Sequence, residues 1–183
     1  MTALARFAEA AAFAAEAHRA QTRKGAAADP YVNHVLDVAA RLAAARPEDE
    51  ALAVAAVLHD VVEDCDVTSA ALAERFGPVV AGIVAEVTDD GSLPKAERKR
   101  LQVEKAPRLT PSARRLKLAD KASNLTALAT DPPPWPPERR RAYLDWARAV
   151  AEGCRGVDPT LEAAFDAAAA RLEAALAATG AGD

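Results

Sequence analysis

Residues 51–64 read Ala51-Leu52-Ala53-Val54-Ala55-Ala56-Val57-Leu58-His59-Asp60-Val61-Val62-Glu63-Asp64. Apolar side chains lie on every side of such a helix, so it belongs at the centre of a core rather than on a surface. Ionisable groups nevertheless sit in it, and an isolated buried carboxylate costs several kcal/mol unless it is paired or bound to a cation. Helical i, i+4 spacing sets Glu63 above His59 and Asp64 above Asp60 on adjoining strips of one face. Three acids and an imidazole within two turns of an apolar helix are a candidate cation site. The plainer alternative, a solvated and capped helix end, fits poorly with the uniformly apolar flanks.

Working outward, the rest of the chain reads as helices. Ala is abundant, Gly is limited to 8 residues, and most of the 12 Pro fall between periodic segments. Helices are predicted from Thr2 to Ala20, from Tyr31 to Ala45 behind an Asp29-Pro30 start signal, and from Glu48 to Asp64. Further helices are predicted from Thr68 to Gly77, Pro78 to Val87, Pro94 to Lys105, Pro111 to Leu128, Pro137 to Gly153 and Pro159 to Ala178. Thr88 to Ser92 reads as a turn and Asp131 to Pro137 as a Pro-rich loop. No period-two strand pattern, repeat or linker is apparent. The expectation is an all-α fold, with residues 1–183 forming one domain.

Composition narrows the function. With 23 Lys+Arg against 27 Asp+Glu the net charge is −4, which disfavours nucleic acid as a partner. No apolar run reaches the ~20 residues of a membrane span, and the N-terminus lacks the order of a secretory signal. Two cysteines, Cys65 and Cys154, make no disulfide framework and fit a reducing, cytoplasmic setting. The oligomeric state is not legible.

Three further segments carry chemistry. His34 lies one turn into the second helix; alone it reads as a structural histidine, and it matters only if that helix packs on the third. His18, with no evident acidic or histidine partner, reads as structural or at most as a support behind the site. Asp120 and Asn124 share one face at i, i+4 and would place another carboxylate near the site; taken alone, Asp120 reads as an exposed acid paired with Lys117. His34, His59, Asp60 and Asp120 together would make a mixed imidazole and carboxylate set, suited to Mn²⁺, Fe²⁺ or Zn²⁺. A metal there polarises a phosphoryl oxygen or supplies hydroxide near neutral pH, with Glu63 and Asp64 placed to hold or deprotonate water. Basic groups flank these acids: Arg23-Lys24 in a polar loop, Lys95 to Lys105, and Arg139 to Arg141 before Tyr143. A basic rim around an acidic centre in a net-acidic chain points to a small polyanion, most simply a nucleotide with several phosphates.

The order of these residues resembles the HD superfamily of metal-dependent phosphohydrolases. The narrower likeness is to the RelA/SpoT-type alarmone hydrolases. It rests on Arg23-Lys24, Tyr31-Val32-Asn33-His34, Leu58 through Asp64, Phe76-Gly77, Val87-Thr88-Asp89, and Lys117 through Lys121 with Asn124-Leu125. Leu93-Pro94-Lys95 through Gln102-Val103-Glu104 is similar to the small stand-alone metazoan SpoT homologue type. The likeness runs from about Ala3 to Leu176. Val35 stands where the family often has Pro, and Cys65 where Thr is common.

The resemblance implies an HD-domain helical bundle and a stringent-response enzyme, a (p)ppGpp 3′-pyrophosphohydrolase that yields GDP or GTP plus pyrophosphate. His34, His59, Asp60 and Asp120 would hold one Mn²⁺, and Glu63 and Asp64 would position and activate the attacking water. Asn124 would contact the nucleotide near the ribose, Arg23 and Lys24 the base or phosphates, with Lys95 and Tyr143 as further substrate contacts. At this length there is no room for the synthetase domain of the longer relatives. The competing expectations are an HD phosphohydrolase for another phosphorylated nucleotide, such as the 2′-phosphate of NADPH, and a non-catalytic alarmone-binding module.

Overall fold

A computed structural model describes residues 2–180, with the side chains of 179 and 180 left out; Met1 and residues 181–183 of the expected domain lie outside it. The described residues form ten α-helices: α1 (Ala3–Ala17), α2 (Val32–Ala45), α3 (Glu50–Leu58), α4 (Val61–Asp64), α5 (Ser69–Phe76), α6 (Pro78–Val87), α7 (Lys95–Lys105), α8 (Pro111–Thr130), α9 (Pro137–Cys154) and α10 (Pro159–Gly180). A 3₁₀ turn over Ala106–Arg108 joins α7 to α8. No strand occurs among the described residues, only an isolated bridge between Thr22 and Pro30. The fold is an all-α bundle.

Local chemistry starts most of these helices. Thr2, Asp49, Thr68 and Thr110 each accept a backbone N–H in the first turn with their side-chain oxygen. Pro78, Pro111, Pro137 and Pro159 stand at first helical positions, where their missing N–H costs nothing. Asp158, 3% exposed, caps α10 through Thr160 and Leu161 and also receives Arg46 Nε at 2.8 Å.

The apolar segment occupies the centre, as its pattern demands. Leu52 and Val54 to Leu58 are all buried, and α3 packs against α1, α2, α6 and α8. The long helix α8 is the second axis, with α10, α2, α9 and α6 around it. A single hydrophobic cluster extends from Ala10 through Leu176. No helix among the described residues is long and apolar enough to cross a membrane.

Three expectations need correction. The helix predicted from Glu48 to Asp64 is split: α3 ends at Leu58, His59 and Asp60 form a turn, and α4 restarts for one turn. His59 Nδ1 donates to the carbonyl of Ala56 at 2.8 Å, and Asp60 has φ −100° and ψ −5°. The break aims the two polar side chains at the neighbouring helices. Asp29-Pro30 is not a helix start. Arg23 N–H donates to Asp29 O at 2.7 Å and Tyr31 N–H to Gln21 O at 2.9 Å, so this segment is extended and tied to the preceding loop. The first helix stops at Ala17 instead of Ala20, because His18 Nδ1 turns to Gln21 Oε1 at 2.6 Å.

Candidate metal centre and nucleotide cleft

The packing of α2 and α8 around the α3–α4 break brings four side chains from three parts of the sequence together. His34 enters from α2, His59 and Asp60 from the break, and Asp120 from α8. One ligand atom each from His34, His59 and Asp120 lies within 4.8 Å of the others, and all three residues are buried. His34 Nε2 is 3.3 Å from Asp120 Oδ1 and 3.6 Å from Asp60 Oδ2. His59 Nε2 is 3.2 Å from Asp60 Oδ2 and 3.9 Å from Asp120 Oδ1. Asp60 also accepts the Tyr31 hydroxyl, at 2.6 Å. Asp120 is buried rather than exposed, and it pairs with Lys121 at 2.8 Å and Asn124 at 2.6 Å; Lys117 turns away to the Val87 carbonyl at 2.8 Å.

These donors suit a divalent cation. Because His59 Nδ1 donates to Ala56 O, Nε2 of the neutral ring carries a lone pair, yet it is buried without a hydrogen-bond partner. Backbone or side-chain support of the far imidazole nitrogen is the arrangement that aims a histidine at a metal. The charges agree. Burial opposes ionisation of Asp60, but the adjacent His59 imidazole holds its carboxyl well below the usual carboxylate range. Burial likewise opposes charge on His59, and Asp60 with Asp120 overrides it, raising the imidazole to about 9. Asp120 is held well below the ordinary range against its own burial by Lys121 and His34. Without a cation, a proton takes its place.

Glu63 and Asp64 sit one turn beyond the break, on the wall of a cleft of about 360 Å³ that has the cluster at its floor. Glu63 is tethered: Oε2 accepts the Asp89 N–H at 3.1 Å and Oε1 receives Arg98 at 3.4 Å. Asp64 anchors its backbone instead, its carbonyl accepting Gln21 Nε2 at 2.7 Å. Burial, reinforced for Asp64 by the Asp60 charge, pushes both carboxyls above their ordinary values.

The Drosophila melanogaster guanosine-3′,5′-bis(diphosphate) 3′-pyrophosphohydrolase MESH1 is 46% identical over 164 residues, covering 88% of this chain and 92% of that protein. The Homo sapiens protein of the same name is 46% identical over 159 residues, covering 86% and 89%. A solved structure described as "A metazoan ortholog of SpoT hydrolyzes ppGpp and plays a role in starvation responses" superposes with a TM-score of 0.87 at 45% identity, over 90% of this chain and 93% of that one. The sequence pattern of the HD domain matches residues 10–150. The chain belongs to the HD-domain family. Within it, the likeness is to the small metazoan SpoT homologues.

The cleft of this HD-domain chain gathers most of the side chains singled out from sequence. Lys24, His59, Asp60, Glu63, Asp64, Lys95, Asp120, Asn124 and Tyr143 all line it. His34 lies behind its floor. Arg23 lines an adjoining cavity of about 270 Å³ that shares Lys24, Tyr31, Asn124, Trp135 and Tyr143 with the cleft. One wall is cationic, with Lys95, Arg98 and Lys99 on successive turns of α7. Burial and the neighbouring cations Lys24, Arg139 and Arg98 lower the Lys95 amine. Such mutual repulsion marks a place prepared for a polyanion.

The sequence reading missed several participants. Tyr31 holds Asp60; it lies three residues before His34, where a partner on the same helical side was to be sought. Lys121 neutralises the outer oxygen of Asp120 and lies 4.6 Å from the centre of the Trp146 ring, with Lys99 at 4.5 Å. Trp135, placed only in a loop, borders both cavities. That loop has a definite task. Asp131 Oδ1 accepts the Ala26 N–H at 3.0 Å and Oδ2 the Ala27 N–H at 3.2 Å, clamping the loop that carries Arg23 and Lys24. A Cβ on Gly25 would collide with the Asp131 carboxylate, which is why glycine stands there.

Proposed function

We propose that this chain is a metal-dependent (p)ppGpp 3′-pyrophosphohydrolase, converting guanosine tetra- or pentaphosphate to GDP or GTP and pyrophosphate. The observation that carries the reading is the convergence of buried imidazole and carboxylate donors at the floor of a cation-walled cleft, in a chain nearly half identical to enzymes with that name. His34, His59, Asp60 and Asp120 are the ligands, and Mn²⁺, the ion the family resemblance implies, is among those that suit the mixed set. A divalent cation there supplies Lewis acidity at a phosphoryl oxygen and makes water nucleophilic near neutral pH.

The chain's own residues divide the remaining work. Lys24, Lys95, Arg98 and Lys99 take up the phosphate charge, and Tyr143 and Asn124 line the passage between the two cavities, where the ribose would lie. Arg23, on the second cavity, faces the base. Glu63, held at both oxygens, positions the attacking water. Asp64, on the same wall of the cleft, accepts the proton of that water. Water oxygen bonds to the 3′-linked phosphorus as its proton passes to Asp64, the bond from that phosphorus to the ribose 3′-oxygen breaks, and the departing 3′-oxygen takes up a proton from solvent to end as a hydroxyl. Cations fixed along the cleft stabilise charge building on the phosphoryl oxygens. We read residues 1–183 as one unit working in the cytoplasm, a reading supported by the continuous hydrophobic cluster and by both cysteines being free thiols.

The test compares turnover of ppGpp and NADPH at matched concentrations by Mn²⁺-loaded protein, with a chelated control. Faster, chelator-sensitive conversion of ppGpp supports the reading. Preference for NADPH moves the substrate to a 2′-phosphate, and stabilisation by ppGpp without turnover leaves a binding module.

A further inference from the structure

Lys117 lines the cleft but is only 8% exposed, whereas Lys95 on the α7 wall is open to solvent and Arg98 and Lys99 are half-buried. Burial, with Lys121 nearby, pushes its amine below the ordinary lysine range, so a charge is costly to keep there. Its Nζ donates to the carbonyl of Val87 at 2.8 Å. Val87 is the last residue of α6, where the helix no longer supplies an N–H to that oxygen and the dipole favours a cation. Two residues on, the Asp89 N–H donates to Glu63 Oε2 at 3.1 Å. The short link between these two contacts is itself held. Thr88 donates to the Val84 carbonyl with its N–H at 3.0 Å and with its hydroxyl at 2.8 Å. The Asp89 carboxylate accepts Gln102 Nε2 from α7.

We propose that Lys117 is a positioning residue for the hydrolysis: by holding the end of α6 it fixes the Asp89 N–H that orients the Glu63 carboxylate, a role that rests on reading Glu63 as the group that places the attacking water. Glu63 has two holders of different kinds. Arg98 reaches Oε1 at 3.4 Å from a wall that also faces the phosphates, so a phosphate oxygen competes for it. The Asp89 N–H is a backbone donor already spent on the carboxylate, and it is as well placed as the turn that carries it. When a polyanion enters the cleft and draws Arg98, the backbone donor keeps Glu63 in place. A methionine at 117 would fill the volume of the lysine but leave the Val87 carbonyl without its donor, and the turn would lose its anchor on α8. Because the Lys117 ammonium is engaged by Val87, its loss should appear in turnover and not in substrate affinity.

The experiment is a double-mutant cycle on the full, Mn²⁺-loaded chain, with kcat and KM for ppGpp measured for wild type, Lys117→Met, Glu63→Ala and the pair. Lys117→Met is expected to lower kcat by up to about 10²-fold, the scale of a small misplacement of a reacting group, with KM little changed. Added to Glu63→Ala it is expected to cost nothing further, because the group it acts through is gone. Gln102→Leu, at a half-buried position, frees the same turn from the α7 side and should behave alike; it carries the test if Lys117→Met does not fold. An unchanged kcat, a rise in KM alone, or losses that multiply in the double variant would overturn the positioning role and leave the reading of Glu63 intact. A Glu63→Ala protein with wild-type kcat would overturn that reading and the proposal with it.

Discussion

At the scale of single residues, the centre is a set of charges that only a cation or a proton can reconcile. In the metal-free protein His59 titrates at about 9 instead of 6.5, so it carries a proton at neutral pH. Its protonation stabilises the folded protein fully below the unfolded value of 6.5, and that contribution is lost as pH rises through about 9. Since a cation needs Nε2 unprotonated, Mn²⁺ binding at pH 7 should release about one proton, and affinity should climb with pH up to that value. Calorimetry in buffers of different ionisation enthalpy measures this; binding without proton release contradicts it. Asp60→Ala and His59→Ala should abolish both Mn²⁺ binding and turnover. Glu63→Ala or Asp64→Ala should lower kcat by about 10²–10⁴-fold with little change in Mn²⁺ affinity, as expected of groups that handle the water's proton. An equal loss of affinity would make them ligands. Because burial raises both carboxyls, the acid limb of the kcat profile should lie above the ordinary carboxylate value near ~4.

At the scale of elements, the cluster exists because a buried helix stops one residue before its histidine. Apolar periodicity announced α3 and the cost of burying acids announced its polar end, so these were legible in sequence. The stop itself was not, because neither residue between Leu58 and Val61 is a Gly or Pro, and Asp60, at the N-cap position of α4, makes no side-chain cap; His59 makes the break by competing for the Ala56 carbonyl. Asp29-Pro30 misled for a related reason, since a capping pair reads the same whether its backbone starts a helix or pairs with Thr22. Tyr31 escaped because it acts across elements, through packing that a linear pattern does not encode, and Lys121 because its contact with neighbouring Asp120 gains weight only once both are buried. The Asp131 clamp is such a contact, with a measurable consequence. Asp131→Ala should free the Arg23-Lys24 loop and raise KM for ppGpp much more than it lowers kcat; a loss confined to kcat would place Asp131 in the chemistry. Gly153→Ala should act elsewhere. Its Cβ would lie 2.7 Å from Ala106 and 2.8 Å from Pro107, where α9 crosses the 3₁₀ turn after the cationic helix. Overpacking there should cost about 1–3 kcal/mol, read as a lowered denaturant midpoint.

At the scale of the whole molecule, the bundle is a frame that brings α2, the α3–α4 break and α8 to one point and lays a cationic helix and an aromatic loop over it. Binding that closes such a point should stabilise the frame. Mn²⁺ at 100 times its dissociation constant contributes about 2.7 kcal/mol. For a chain of this size that corresponds to a rise in Tm of about 5–10 °C, reversed by a chelator. An unchanged Tm would mean that the cluster binds no ion.

The claim that matters most is that this centre cleaves the 3′ linkage at phosphorus. It is tested by single-turnover hydrolysis of ppGpp by Mn²⁺-loaded protein in ¹⁸O-labelled water, with mass analysis of both products and a chelated control. The account predicts GDP with an unlabelled 3′-hydroxyl, one ¹⁸O in the pyrophosphate, and neither product when the metal is removed. Label in the GDP hydroxyl, or intact ppGpp after incubation with folded, metal-loaded protein, would contradict it.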